Sequence, residues 1–163
     1  MVISDATVLI ALARAGYLWL LKKLWGSVII PDAVYLETMK GLPGKSEIDE
    51  AVNSGWIKVQ KVQNQRVVRF LQGDLRGRGE CECIILTEEI DVKTVLIDDK
   101  KARKIARQAG IEVIGTLGLL VMAAREEILS REEAIKVIHL LVENDFRLSE
   151  PVVQKAISLI KEV

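Results

Sequence analysis

Apolar and polar positions change period in an ordered way along the chain. Thr94-Val95-Leu96-Ile97 is a short apolar run bounded by charge, the pattern of a buried strand. From Lys100 the period becomes helical, with Ala102, Ile105, Ala106 and Ala109 on one stripe, and Gly110 predicts the stop. Glu112-Val113-Ile114 then opens another apolar segment. Strand, crossover helix and strand in this order build a parallel sheet, whose ligands gather at the carboxyl ends of its strands. Asp98 and Asp99 fall at such an end.

The same reading covers the rest of the chain. Met1 to Ser4 predicts a first strand, and Asp5 stands before Val8-Leu9-Ile10-Ala11-Leu12-Ala13, where it suits either a helix N-cap or a site. Tyr17 to Leu24 predicts a dense apolar helix ended by Gly26, and Val28-Ile29-Ile30 a strand closed by Pro31. Asp32 to Lys40 predicts a helix with Glu37 beside its apolar stripe, and Gly41 to Gly44 a loop. Lys45 to Asn53 reads as a helix and Trp56-Ile57-Lys58-Val59 as an edge strand. Val67 to Leu75 reads as a weak helix, Arg76-Gly77-Arg78-Gly79 as a loop, and Glu80 to Glu89 as a helix. Glu80 and Glu82 lie two residues apart on it and point in different directions, so one of them can face inward. Gly115 to Glu127, Arg131 to Val142 and Val152 to Ile160 read as helices, with Ser130 and Glu133 as a capping box and residues 143–151 as a linker. The predicted fold is a three-layer α/β/α arrangement with a small parallel sheet and a helical C-terminal tail. Residues 1–163 form a single domain, with 128–163 as its helical extension.

The 163 residues suffice for one full core, and 50% hydrophobic with 28% charged residues is an ordinary globular balance. Lys plus Arg and Asp plus Glu both total 23, so any affinity for nucleic acid has to come from a local basic edge. Cys81 and Cys83 diverge on one helix, which argues against a mutual disulfide or a zinc knuckle and fits a reducing compartment. The start lacks the basic and long apolar regions of a signal peptide, and the run from Ile114 to Ala124 is too short to cross a bilayer. A cytoplasmic protein without membrane contact is expected.

Candidate chemistry rests on acids from four separated places: Asp5, Glu37, Glu80 or Glu82, and Asp98 or Asp99. Converging carboxylates repel one another, and an all-oxygen cluster selects hard divalent cations such as Mg2+ or Mn2+. Such an ion can activate a water against a phosphodiester. His139 is the only histidine and sits on an amphipathic helix, where a structural role is expected, so no serine-histidine arrangement competes. Gly73 to Gly79 lacks the preceding strand and the Gly-Lys-Ser/Thr ending of a phosphate loop. Arg76 and Arg78 can instead touch a phosphate backbone beside the acids.

Five stretches carry a resemblance in their order and spacing. They are Ser4 to Ala13, Ile30-Pro31-Asp32-Ala33-Val34-Tyr35-Leu36-Glu37, Gly79-Glu80-Cys81-Glu82-Cys83-Ile84, Leu96 to Arg103, and Gly115 to Leu120. Over nearly its full length the chain resembles PIN-domain proteins, specifically the short prokaryotic group related to VapC-type toxins. The resemblance implies a metal-dependent endoribonuclease using Mg2+ or Mn2+. It matches Asp5, Glu37 and Glu80 to the family's first three acids, the third being aspartate in many relatives. Asp99 matches the fourth, with Glu82 and Asp98 as alternative or supporting ligands and Thr7 supporting Asp5. It further implies an RNA substrate, whose backbone Arg76 and Arg78 would touch, a homodimer, for which Trp19 and Trp25 are candidate anchors, and a small antitoxin partner.

Two other classes remain open. A catalytically weak or inactive nucleic-acid-binding or regulatory module of the same fold would keep the architecture and lose efficient chemistry. A phosphoacceptor signalling domain also binds magnesium through paired acids, but the segment after Asp99 does not supply the later-strand lysine that it needs.

Overall fold

The central strand is the first one. In the computed structural model, which describes residues 1–41, 43–75 and 77–163, β1 (Val2–Ser4) is buried at every position. It lies between β2 (Val28–Pro31) and β4 (Thr94–Leu96) in a five-stranded sheet of order β3-β2-β1-β4-β5, completed by β3 (Ile57–Gln60) and β5 (Glu112–Ile114). Every pairing is parallel. Uninterrupted apolar strands such as Val28-Ile29-Ile30 are what a sheet covered on both faces requires. β3 occupies one edge, as its alternating pattern predicts, with only Ile57 buried.

The helices follow in chain order: α1 (Ala6–Ala15), α2 (Trp19–Trp25), α3 (Asp32–Thr38), α4 (Lys45–Asn53), α5 (Gln65–Leu75), α6 (Arg78–Glu89), α7 (Lys100–Gln108), α8 (Thr116–Arg125), α9 (Arg131–Glu143) and α10 (Glu150–Lys161). One cluster of buried apolar residues runs from Val2 to Ile160 and includes Leu141, Val153 and Ile157 of the C-terminal helices. The capping box at α9 is formed in both directions, with Ser130 Oγ accepting from the Glu133 amide and the Glu133 carboxylate accepting from the Ser130 amide. That exchange holds the Glu133 carboxyl below its ordinary range. Cys81 and Cys83 are both buried and free. Among the described residues no helix is long and apolar enough to cross a membrane.

One boundary differs in a way that matters. The sequence pattern starts α6 at Glu80, whereas the helix begins at Arg78. Starting two residues earlier puts Arg78 and Glu82 at i and i+4, the spacing at which opposite charges meet on a helix. Arg76 and Leu42 lie outside the described residues.

The topology decides where a site can form. The chain leaves β1 toward β2 and β3 on one side, then returns to build β4 and β5 on the other. The crevice between β1 and β4 is therefore a switch point, where the connections diverge and leave the strand ends uncovered. The Asp5 amide still bonds Leu96 O at 2.9 Å, so Asp5 and the Asp98-Asp99 pair leave adjacent strands side by side.

Candidate acidic site at the switch point

Asp5 takes the first of the two roles open to it in the sequence, that of a helix cap. It caps α1, its Oδ1 accepting from the Val8 amide at 2.9 Å, and it is 1% exposed at the base of the crevice. Its Oδ2 receives only a long contact, 3.4 Å, from the Asp98 amide. Burial raises the Asp5 carboxyl well above its ordinary range, and the charges of Asp98 and Glu80 push it the same way.

Glu80 acts on two of the other acids. Its charge raises both Asp5 and Glu37, although burial is the larger cause for both. Glu37, on α3, is half-buried against the first turn of α6. A Cβ on Gly79 would stand 2.6 Å from Glu37 Oε1, so glycine there is what admits that carboxylate. Lys40 and the Gly79 amide offset part of the rise at Glu37.

Asp98 is held more firmly. Its Oδ1 accepts from the Thr116 amide at 2.8 Å and its Oδ2 from the Thr116 hydroxyl at 2.6 Å, so a loop side chain caps the start of α8. Burial still raises its carboxyl, while the Thr116 bonds and the nearby Arg103 charge act against the rise. Asp99 caps its own helix, accepting from the Ala102 amide at 2.8 Å. Cys83 lies beneath the cluster and donates to Ser4 O at 3.4 Å; burial, then the Asp5 charge, pushes its thiol up.

Glu82 is the acid of the α6 pair that turns inward, and it turns away from this group. It is 2% exposed, its Oε2 accepting from the Ala33 amide at 3.1 Å and its Oε1 from Arg78 Nε at 2.9 Å. Arg78 also reaches the Gln65 side chain at 2.9 Å, so its guanidinium is engaged by protein.

Above Asp5 opens a cavity of about 520 Å³ lined by Thr7, Glu80, Asp98 and Asp99, with Arg14, Asn144, Asp145, Phe146 and Arg147 on its far wall. Glu80, Asp98 and Asp99 therefore face a wall that carries two arginines and a fourth acid, Asp145, over Asp5 buried below. Glu37 and Glu82 line a different hollow, with Arg78, Lys40 and Lys61. Thr116, to which the sequence reading gives no role, and the segment Asn144–Arg147 also surround these acids. Their available signals are a threonine opening a helix directly after glycine, and an aromatic-arginine pair inside a short polar linker.

Oxygen-only donors with surplus negative charge suit a hard divalent cation in kind. In placement they are less gathered: among the described residues no three acidic, imidazole or thiol groups stand close enough to share one ion. Both oxygens of Asp98 and of Glu82 already have partners within the protein.

A family model described as DUF3368, PIN domain, matches residues 1–162. No curated protein and no solved structure matches the chain.

Proposed function

Because the chain belongs to the PIN-domain family, whose fold is that of a nuclease superfamily, we propose that it is a nucleic-acid-binding module directed at RNA in which hydrolysis is weak. The observation that carries this reading is the engagement of the acids. Thr116 occupies both oxygens of Asp98, Ala33 with Arg78 both oxygens of Glu82, and the Ala102 amide one oxygen of Asp99. Asp5, Glu37 and Glu80 remain as the acids with least compensation.

A second reading, a metal-dependent endoribonuclease of the VapC-type toxin group, is favoured by the raised carboxyls of Asp5 and Glu37. Crowded carboxylates of this kind are relieved by a cation. Asp5, Glu37, Glu80 and Asp99 are the residues proposed to hold Mg2+ or Mn2+, with Glu82 and Asp98 supporting them. A bound ion of this class lowers the pKa of water and polarises a phosphodiester. The residues of this chain contribute placement: the Val8 amide fixes Asp5, and Thr7 and Glu80 line the cavity above it. On this reading an antitoxin-like inhibitor and a second copy of the chain are proposed partners. The exposed Trp19, stacked obliquely on Tyr17 with ring centroids 6.1 Å apart, is one anchor for such a dimer.

The test is binding and cleavage of a panel of structured and single-stranded RNAs with Mg2+, Mn2+ or chelator, for the native chain, Asp5→Asn and Asp99→Asn. Binding in all three proteins, with slow cutting that needs metal and is lost in both variants, is the expected result. Fast metal-dependent cutting by the native chain selects the second reading, and absence of both binding and cutting overturns both readings.

A further inference from the structure

Helices that connect parallel strands return the chain to the edge where the strands begin, opposite the acids. At that edge the end of α1, the start of α2, one face of α4 and the residue before β3 enclose a hollow of about 390 Å³. Trp19 and Trp56, two of the three tryptophans of the chain, line it. Their placement follows from the local sequence. In Leu18-Trp19-Leu20-Leu21 the three leucines are buried, so Trp19 is turned outward and stays 41% exposed, with the Tyr17 ring against it. Trp56 is half-buried, and its carbonyl accepts from the Val28 amide at 2.9 Å, which ties it to the start of β2. On α4, Ile48 and Ala51 face the core. Glu47 and Glu50, one position before each, form a parallel exposed pair on the hollow.

Glu47 stands in the first turn of α4, where the helix dipole already favours an acid, so alone it carries nothing. Glu50 lies one turn further on, where the dipole gives no such reason. Lys22 is the single cation of the lining. Among the described residues the only ion pair is Arg78 with Glu82, so Lys22 contacts neither carboxylate as a salt bridge. Indole faces attract cations through the ring quadrupole, and weakly hydrated ones, alkylated or delocalised, lose least on leaving water. A dimer anchor asks for the reverse, because the core of a protein interface is depleted of Glu and Lys. The charged lining therefore sets this hollow apart from the dimer use of Trp19.

We propose that the hollow is a binding site for an organic cation, an alkylated ammonium or a guanidinium, held on the indoles of Trp19 and Trp56 and balanced by Glu47 and Glu50. Ligand pockets run from about 300 to 1,000 Å³, and this one, at the small end, suits a group the size of one side chain. Buried Leu18 and Ala51 also line it and offer the alkyl part a dry surface. The site is independent of the nucleic-acid reading, since it shares no lining residue with the acidic cavity.

The test is ligand-observed NMR titration of the native chain with choline, with ethylguanidinium and with the neutral analogue of choline in which carbon replaces nitrogen. Saturable binding of a cation, with the neutral analogue at least tenfold weaker, is expected. Trp19→Ala should weaken cation binding at least tenfold, and Glu47→Gln with Glu50→Gln severalfold, whereas Lys22→Gln should tighten it by removing a like charge. Trp25→Phe, outside the lining, leaves it unchanged. Circular dichroism checks folding, and the exposed glutamate pair keeps the test valid if an indole is needed for it. Peptides carrying one trimethyllysine or one arginine separate the sources. Binding at least tenfold tighter than that of the free cation assigns the side chain of a protein partner, and equal binding assigns a free small molecule; either supports the site. Equal binding of choline and its neutral analogue, no binding of any cation, or native affinity in Trp19→Ala and in the glutamate pair overturns it. A dimer in sedimentation that is lost in Trp19→Ala and kept in the glutamate pair gives the hollow to a second copy of the chain and overturns it too.

Discussion

Glu82 and Asp5 are nearly equal in burial, at 2% and 1% exposed, and opposite in circumstance. Between α3 and α6, Glu82 meets a guanidinium and a backbone amide, one on each oxygen. Between β1 and β4, Asp5 meets one good amide and one distant one, and faces Asp98 and Glu80. A buried charge that is matched holds two helices together; a buried charge set against like charges stores repulsion. Burial alone does not separate these two circumstances. What stands opposite each oxygen does.

The comparison sharpens most at Glu82. Glu82→Ala leaves the Ala33 amide unsatisfied in a buried place and empties side-chain volume between α3 and α6, so stability should fall by about 3 kcal/mol in urea unfolding. A loss well under ~1 kcal/mol would mean that Glu82 is not a structural acid. Asp5→Asn should move the other way at neutral pH, gaining about 1–2 kcal/mol, since the amide keeps the Val8 bond and removes a charge that burial disfavours.

The pH dependence has the same origin. Asp5 titrates higher in the folded chain than in the unfolded one, so across the window between those two values the folded chain holds more protons. Stability therefore falls as pH rises through that window, and the missing stability is restored below it. Glu37 and Asp98, also raised, add to the fall. Asp5→Asn should flatten the profile of melting temperature against pH there, and an unchanged slope would remove Asp5 as its source. The smallest effect is expected for Arg78→Gln, about 1 kcal/mol, because the Arg78 side chain is 56% exposed and Glu82 keeps the Ala33 amide.

Much of this arrangement is legible in the chain. Apolar runs such as Val28-Ile29-Ile30 and Val95-Leu96-Ile97 announce a sheet buried on both faces, and the parallel-sheet rule then places Asp5, Asp98 and Asp99 at its carboxyl edge. Periodicity leaves the direction of Glu82 open, because α6 is buried around most of its circumference and the partner of Glu82, Arg78, lies before the start that the pattern predicts. Thr116 and Arg147 were not singled out because their roles come from contacts across the fold. Thr116 meets a residue 18 positions away, and Arg147 lines a cavity with α1 and the Asp98-Asp99 pair from the linker of a C-terminal helical pair. No local pattern encodes such meetings.

The central claim is that the switch-point acids carry negative charge that the protein itself does not neutralise. Its most direct test is the melting temperature of the native chain and of Asp5→Asn at neutral pH, each with chelator and with Mn2+. The native chain should gain several degrees with Mn2+, while Asp5→Asn should start higher and gain little, as ligand linkage requires. A native chain that gains nothing, or a variant that starts lower and gains as much, would contradict the claim.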